Sequence, residues 1–333
     1  MRNIRFLLLS TLPLLCLLLI AAACRGKNGG AMQNVSAAKN TVPVCNADSL
    51  WHFVARQVAF GPRTPNSEAH RLCAGYLQAK LASYGASVRI QEFEARRWDN
   101  ALLNGRNIMA SFNPEQTRRI LLCAHWDSRP YADRDTDPDV KRTPIDGAND
   151  GASGVAVLLE IARVMQQNPP LAGVDIVLFD LEDSGKPEWE NHQAGDEYAW
   201  CLGAQHWAEN PPVPGYSASY GILLDMVGTY DPCFAMEATS MYYAPDIMRK
   251  VWEKAALMGY GNIFQNRATG ALIDDHLFVN DLARIPTIDI VHYDNRAQTG
   301  FFPHWHTLGD NLEHVSASTL KIVGDVVLAT LYE

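Results

Sequence analysis

The amino-acid sequence predicts an α/β protein with a mixed, mostly parallel central sheet that is flanked by helices on both faces. Short apolar runs alternate with segments of helical periodicity along most of the chain, which is typical of parallel strands joined by helices. The run 174–179 is almost entirely apolar, as expected of a strand that is buried on both faces. The chain has 333 residues, of which 47% are hydrophobic, so it can bury a large core.

Two helices and three strands are predicted first along the chain. Asp48 and Ser49 can cap a helix that runs to residue 60, and apolar residues at helical spacing predict a second helix over 68–84. The strand candidates that follow cover residues 87–93, 107–112 and 119–124.

Strands and helices then alternate to the end of the sequence. The predicted helices cover residues 152–167, 198–208, 245–258 and 317–331. The predicted strands cover residues 174–179, 221–226 and 287–291. No internal repeat or low-complexity block interrupts this pattern, so we interpret residues 42–333 as a single domain.

The N-terminus predicts a targeting segment and a tether. Arg2 and Arg5 precede an apolar run that ends in three alanines before Cys24, which are the features of a bacterial lipoprotein signal. We interpret residues 1–23 as the signal peptide, Cys24 as the lipidated residue and residues 24–41 as a tether. An ordinary signal peptide or a membrane anchor is the alternative. The lipoprotein interpretation predicts a periplasmic, membrane-anchored protein.

Net charge limits the classes of binding partner, and cysteine content limits the number of disulfides. The formal net charge is −9, which argues against nucleic acid or an anionic membrane surface as the main partner. Five cysteines remain beyond Cys16 and Cys24. One or two disulfides are compatible with this odd number. Burial as small hydrophobic residues is the other interpretation, and we favour it for Cys123.

Acidic and histidine residues follow the predicted strands and occupy the adjoining loops. Candidate zinc ligands are His125, Asp150, Asp183, Asp225 and His306. Because parallel strands end at the same edge of a sheet, we expect these side chains to lie close together. Five such ligands could hold two zinc ions with one bridging carboxylate, whereas three could hold one zinc ion. Glu182, directly before Asp183, would then be a neighbouring base.

Motifs spread over residues 119–307 resemble the zinc aminopeptidase-like fold of peptidase family M28. They are His125-Trp126-Asp127-Ser128, the run 147–154, Glu182-Asp183, Asp225 and Trp305-His306-Thr307. Within that family the chain resembles the animal-like glutaminyl-peptide cyclotransferases, or glutaminyl cyclases. The run Asp274-Asp275-His276 and the tryptophan before His306 carry this resemblance, since the two-zinc aminopeptidases usually have tyrosine there. It implies a three-layer α/β/α fold.

The resemblance also implies roles for individual residues. It implies one zinc ion per chain, with Asp150, Asp183 and His306 as ligands. It implies that Glu182 acts as general base and general acid. The further roles are a hydrogen-bond network near the substrate for Asp225 and Asp274, and a substrate pocket lined by Trp305, Trp189 and Asp275.

Two positions need separate expectations. The family usually has glutamate where Asp183 stands; we expect Asp183 to ligate zinc nevertheless, because the carboxylate is retained. The alternative is that Asp180 matters more, but a continuing strand would direct Asp180 to the opposite side. His125 binds a second zinc ion in the aminopeptidases, and we expect it to support the site here without binding metal.

The activity implied is the cyclisation of N-terminal glutaminyl residues of peptides and proteins, with release of ammonia. A two-zinc aminopeptidase is the main alternative, and a non-catalytic binding relative is the third. The oligomeric state expected is a monomer. No nucleophile elbow of the Gly-x-Ser-x-Gly type follows a strand, which argues against a serine hydrolase.

Residues 133–139 alternate acids like the start of a calcium loop. Pro138 stands at the sixth position and Pro144 at the twelfth, where a calcium loop has glycine and glutamate. We therefore exclude an EF-hand and interpret this segment as a solvated loop near the mouth of the site.

Overall fold

A computed structural model describes residues 42–296 and 300–333. The predicted signal peptide, the tether and the lipidated Cys24 lie outside the described residues. Residues Val42–Glu333 form one compact unit. Within the described ranges, no helix combines the length and the apolar character needed to cross a membrane.

A six-stranded sheet lies at the centre of the protein. The strands in chain order are β1 (Ser87–Arg96), β2 (Leu102–Phe112), β3 (Arg119–His125), β4 (Gly173–Phe179), β5 (Gly221–Asp225), β6 (Phe234–Met236), β7 (Phe264–Ala268) and β8 (Thr287–Val291). The central sheet has the order β1-β2-β4-β3-β5-β8, and β6 pairs with β7 in a small separate sheet. Strands β4, β3, β5 and β8 run parallel, whereas β1 and β2 pair antiparallel. The predicted mixed, mostly parallel sheet is confirmed.

Helices cover both faces of this sheet. They are α1 (Ala47–Val58), α2 (Glu68–Ser83), α3 (Ala152–Gln167), α4 (Leu202–Glu209), α5 (Ala238–Tyr243), α6 (Pro245–Leu257), α7 (Asp275–Asp281) and α8 (Ala317–Leu331). Helices α1, α3 and α8 pack against one another, and α3 lies on β3 and β5. Helices α4 and α7 pack together on the opposite face of the sheet, with α7 against β5.

Alternation along the strands explains why both faces need a cover. In β3, Leu122 belongs to the large core with α1, α3 and α8, whereas its neighbours Leu121 and Cys123 belong to a second core with α4 and α7. Successive side chains of a strand point to opposite faces, so an apolar strand is stable only between two layers. The burial of Cys123 as a small apolar residue is as predicted.

The structure corrects two predicted helix starts. Asn46, and not Asp48 or Ser49, caps α1, because the Asn46 side chain accepts a hydrogen bond from the Ser49 backbone N–H at 2.9 Å. The helix predicted from residue 198 begins only at Leu202. Cys201 before it has a φ of 55°, which lies outside the helical region.

The five cysteines of the described part of the chain are free and buried. They are Cys45, Cys73, Cys123, Cys201 and Cys233. The possibility of one or two disulfides among them is therefore not realised in the structure.

The parallel strands bring their carboxyl ends to one edge of the sheet. His125 ends β3, Asp225 ends β5, and Glu182 follows β4 by three residues. Gly151 lies beside them directly before the first residue of α3 and has a φ of 96°. A Cβ atom at Gly151 would lie 2.6 Å from the backbone oxygen of Asp127, so only glycine allows the helix to begin this close.

Candidate active site

The segment after β4 turns sharply and presents two carboxylates in different directions. Leu181 adopts a φ of 58°, a left-handed conformation that is unusual for a residue with a Cβ atom. Both oxygens of the buried Asp127 carboxylate accept hydrogen bonds, one from the Glu182 backbone N–H and one from that of Asp183, each at 3.2 Å. Asp127 therefore fixes the backbone from which Glu182 and Asp183 project.

Asp150, Asp183 and His306 come together as one buried group. His306 Nε2 lies 3.4 Å from Asp183 Oδ1 and 3.6 Å from Asp150 Oδ2. Two ligands of a tetrahedral zinc ion, each at about 2.0–2.1 Å, would be separated by about 3.4 Å. Asp150 Oδ2 and Asp183 Oδ2 are buried and have no hydrogen-bond partner in the described structure. Such orphaned carboxylate oxygens fit a metal site.

Each member of this group is held by further residues. Asp310 accepts hydrogen bonds from the backbone N–H groups of Asn149 and Asp150 at 2.7 and 3.0 Å. Asp133 Oδ1 lies 3.4 Å from His306 Nδ1, which leaves Nε2 for the metal. His306 itself has a φ of 56°.

Arg129 contacts both Asp183 and Asp133, the residue beside His306. Its guanidinium donates to both carboxylate oxygens of Asp133 at 2.8 and 2.6 Å, and Nη1 lies 3.4 Å from Asp183 Oδ1. Arg129 and Asp133 are both about 1% exposed. The solvated loop predicted over 133–139 is thus wrong at its first residue, since Asp133 is buried against the site.

Asp180 is directed away from this group. Both its carboxylate oxygens lie 2.9 Å from His70 Nε2. One of them also accepts a hydrogen bond from the Arg106 backbone N–H at 2.7 Å. The alternative in which Asp180 replaces Asp183 at the site therefore receives no geometric support.

A second group of possible ligands surrounds His125. Its Nε2 lies 3.1 Å from Asp150 Oδ1 and 3.1 Å from Asp225 Oδ1, and its Nδ1 lies 3.5 Å from Asp127 Oδ1. Burial opposes protonation of the ring, but the three carboxylates outweigh it and raise the pKa of His125 well above its usual range. Burial, partly offset by the His125 ring, raises the pKa of Asp225 to about 8.

Glu182 points towards Cys201 and Asp274. One oxygen of its carboxylate, the Cys201 sulfur and one oxygen of Asp274 lie within 4.8 Å of one another. The pKa of Glu182 is raised well above its usual range, first by burial and then by the neighbouring carboxylates Asp183, Asp274 and Asp275, although the charge of His125 opposes this. A carboxylate in such surroundings can exchange protons near neutral pH.

Asp274 and Asp275 occupy different environments despite their adjacency. Asp274 lines the cavity and its carboxylate caps α7, at whose first position Asp275 stands. Asp275 is fully buried, and neither of its carboxylate oxygens has a hydrogen-bond partner in the described structure. The structure therefore does not place the predicted substrate-binding Asp275 at the cavity wall.

Behind Asp274 lies a buried polar group that the sequence did not reveal. Asp274, His276 and Asp289 each contribute one atom to a group within 4.8 Å. Burial first, and then the carboxylates of Asp274, Asp225 and Glu237, raise the pKa of Asp289 well above its usual range. These effects favour the neutral form of the Asp289 carboxyl group.

A cavity of about 450 Å³ opens over these groups. Its charged and histidine lining includes Asp150, Glu182, Asp183, Asp225, Asp274 and His306. Trp305 and Trp200 form parts of the wall, with ring centres 4.0 and 6.0 Å from that of His306. The apolar remainder includes Met226, Leu272, Val291 and Phe301.

Trp200 occupies the wall position that was predicted for Trp189. Trp189 does not line the cavity; its ring packs edge-on against Tyr131 at 5.1 Å and under Arg142. Trp200 instead stacks parallel to His306 and beneath the Arg129 guanidinium, 4.6 Å from its ring centre. The sequence did not predict Trp200 at the cavity because residue 200 fell inside a predicted helix, whereas the helix begins only at Leu202.

Comparisons with known proteins agree with this geometry. The model of peptidase family M28 matches residues 107–331. A zinc-dependent exopeptidase from Parabacteroides distasonis is 50% identical with a TM-score of 0.86, covering 88% of this chain and 100% of that one. A glutaminyl cyclase from Bacteroides thetaiotaomicron, solved with N-acetylhistamine, is 49% identical with a TM-score of 0.86, covering 88% of this chain and 99% of that one.

More distant relatives include peptidases. Aminopeptidase YwaD of Bacillus subtilis is 25% identical over 285 residues, which make up 82% of this chain but only 54% of that protein. The chain thus spans about half the length of this relative.

Proposed function

This chain belongs to peptidase family M28, and within that family we propose that it is a glutaminyl-peptide cyclotransferase. The substrate is a peptide or protein with an N-terminal glutaminyl residue. Its α-amine attacks its own γ-carboxamide carbon, the C–N bond of the lactam forms, and the carboxamide nitrogen leaves as ammonia. The observation that carries this proposal is the grouping of Glu182 with Asp274 at a cavity walled by Trp305 and Trp200.

The residues that would hold one zinc ion per chain are Asp150, Asp183 and His306. Their spacing and their two orphaned oxygens support this proposal. Zinc, when bound, supplies a Lewis acid that polarises a carbonyl oxygen and stabilises negative charge on it. Asp133 and Arg129 keep His306 and Asp183 aligned for that purpose.

The chain's own residues orient the substrate and move the proton. Because nucleophile and electrophile belong to one residue, the site needs mainly to fold the glutamine side chain back on the amine. Trp305 and Trp200 flank that side chain and exclude water. Glu182 accepts a proton from the attacking amine and returns it to the departing nitrogen, so the carboxylate is regenerated in each turnover.

Asp225 and Asp274 lie beside the reaction centre and assist Glu182. Both line the same cavity. Negative charge on Asp274 raises the pKa of Glu182, which favours its action as a base beside a cation. Because Asp274 lines the cavity, its carboxyl oxygens can accept a hydrogen bond from the substrate amine.

A two-zinc aminopeptidase is the second candidate function. The group of His125, Asp150 and Asp225 favours it, because these residues could hold another metal ion with Asp150 as the bridge. Against it, tryptophan stands at position 305, where those peptidases are expected to have tyrosine.

Two assays on one preparation separate these candidates. A glutamine-initiated dipeptide should release ammonia with its peptide bond intact, whereas a leucine-initiated dipeptide should remain whole. Metal analysis should give about one zinc per chain for the cyclotransferase and about two for the peptidase. Free leucine without ammonia formation would overturn the proposal.

We also propose that the protein is a monomeric lipoprotein held in the periplasm through Cys24. The support is the signal-like sequence before that residue and the polar segment that follows it. In a bacterial host, wild-type protein should partition with membranes and Cys24→Ala should not. Equal partitioning of the two proteins would contradict the anchor.

A further inference from the structure

The side chain of Glu182 needs an orienting contact of its own. Asp127 holds the backbone N–H groups of Glu182 and Asp183, but the Glu182 side chain has rotatable bonds beyond that point. In the described parts of the chain, the hydrogen bond recorded to the Glu182 carboxylate comes from the thiol of Cys201, whose Sγ lies 3.3 Å from Oε1. Glu182 lines the cavity, and the fully buried Cys201 contacts it from behind the cavity wall.

Cys201 is tied to the Glu182 segment by its backbone as well. The Cys201 N–H donates to the Glu182 carbonyl oxygen at 2.9 Å, and the Leu202 N–H donates to that of Leu181 at 3.2 Å. These two bonds join the start of α4 to the segment after β4. The Cys201 backbone therefore stays beside Glu182, and the rotamer of the Cys201 side chain decides whether the thiol contacts the carboxylate.

The backbone of Cys201 has a conformation that is unusual for a residue with a side chain. Its φ of 55° is left-handed, a conformation in which glycine is favoured and a Cβ atom is costly. The residue is also fully buried. A strained, buried, side-chain-bearing residue beside a reactive group is the arrangement in which strain serves a function.

The chemistry of a buried thiol suits an orienting role. Burial, followed by the charge of Glu182, raises the pKa of Cys201 well above its usual range, so the group stays S–H and remains a donor. A thiol is a weak donor. It can therefore orient the carboxylate without competing strongly for the proton that Glu182 must exchange with substrate.

We propose that Cys201 is a positioning residue, which holds the Glu182 carboxylate in the orientation required for proton transfer. This inference rests on the proposed cyclotransferase function, in which Glu182 is the base. Cys201 does not touch the substrate and takes no proton itself. Its removal should reduce turnover and leave substrate binding by the cavity walls intact.

The kinetic test compares three variants that differ at buried cysteines. Cys201→Ala should lower kcat about tenfold with KM within about twofold of wild type, since a hydrogen bond to a charged group is lost. Cys201→Ser, which keeps a donor, should recover most of kcat. Cys73→Ala removes an equally buried thiol from α2, away from the cavity, and should leave kcat within about twofold.

Two kinetic outcomes would overturn the inference. One is a Cys201→Ala enzyme with the kcat of Cys73→Ala. The other is a Cys201→Ser enzyme as impaired as Cys201→Ala, which would assign the loss to packing. If wild-type enzyme released no ammonia from glutamine-initiated peptides, the proposed function would fail instead, so the two failures are distinguishable.

A spectroscopic test covers the case in which Cys201→Ala does not fold. The infrared S–H stretching band that is absent in Cys201→Ser should move to higher frequency in Glu182→Leu, because its acceptor is gone. This measurement needs no catalytic activity. An unchanged band in Glu182→Leu would show that the thiol does not donate to Glu182 and would overturn the inference.

Discussion

His306 Nε2 and Asp183 Oδ1 lie 3.4 Å apart in a buried group that also contains Asp150. Aspartate at position 183 is one methylene shorter than the glutamate usual in the resembling family, yet its carboxylate reaches His306. The left-handed conformation of Leu181 and the two hydrogen bonds to the Asp127 carboxylate bring the backbone of residue 183 towards His306. The shorter side chain is therefore compatible with a zinc site at this position.

Asp183→Ala should lower zinc affinity by at least about 100-fold, because removing even a supporting contact of a zinc ligand typically costs 10–100-fold. Asp180→Asn is the matched control, since Asp180 bonds to His70 and not to the group. This control should retain zinc and lose only stability. Competition with a chromogenic chelator measures the zinc affinity of each variant. If Asp180→Asn lost zinc while Asp183→Ala retained it, the assignment of Asp183 as a ligand would be contradicted.

Trp200→Ala should raise KM for a glutamine-initiated peptide by about tenfold, corresponding to a loss of roughly 1.4 kcal/mol of binding free energy. The reason is that Trp200 walls the cavity and braces Arg129. Trp189→Ala, which removes an aromatic ring that does not line the cavity, should change KM less than twofold. Steady-state kinetics measure both KM values. A larger rise in KM for Trp189→Ala than for Trp200→Ala would instead assign the wall position to Trp189.

Asp289→Asn and Asp289→Leu should differ in turnover. Asparagine keeps a polar side chain beside Asp274 and His276, so kcat should stay within a few-fold of wild type. Leucine has a similar volume but removes every polar atom of this side chain from the buried group, and kcat should fall by about tenfold or more. Equal kcat values for the two variants, measured on proteins with the same thermal stability, would show that the polar side chain of Asp289 does not contribute to turnover.

Stability should decrease as the pH falls from about 6.5 to about 4, in part through His292. Burial lowers the pKa of His292 from 6.5 to about 4, and its Nδ1 accepts a hydrogen bond from the Cys233 backbone N–H at 3.2 Å. Between these values the unfolded chain binds a proton that the folded protein does not, so the free energy of unfolding decreases on acidification.

The variant His292→Asn keeps an acceptor for Cys233 but cannot titrate. Urea unfolding at several pH values should show that the wild type loses about 1–3 kcal/mol more than this variant across that interval. Parallel pH profiles for the two proteins would show that His292 does not contribute.

The strand-end residues could be predicted from the sequence because their positions follow from local patterns. Apolar runs mark β3, β4 and β5, and parallel strands share an edge, so His125, Glu182 and Asp225 had to meet. The motif around Asp150 and the Trp305-His306 pair added the rest of the group. These expectations needed no knowledge of loop geometry.

Contacts made by irregular segments could not be predicted in this way. Arg129, Asp133 and Trp200 reach the site through loops whose course depends on tertiary packing. The short elements α5, α7, β6 and β7 were missed for a related reason: they have three to seven residues, too few for a periodic pattern, and tertiary contacts stabilise them.

Mass spectrometry of one glutamine-initiated peptide, incubated with wild-type enzyme and with Glu182→Gln, tests the central claim most directly. Wild type should convert the peptide to a single product lighter by one ammonia, with every peptide bond intact. Glu182→Gln should bind zinc and fold but convert the peptide at least about 100-fold more slowly, since general base catalysis contributes about 10²–10⁴-fold. Loss of the N-terminal residue from the peptide, or full activity of Glu182→Gln, would contradict the account.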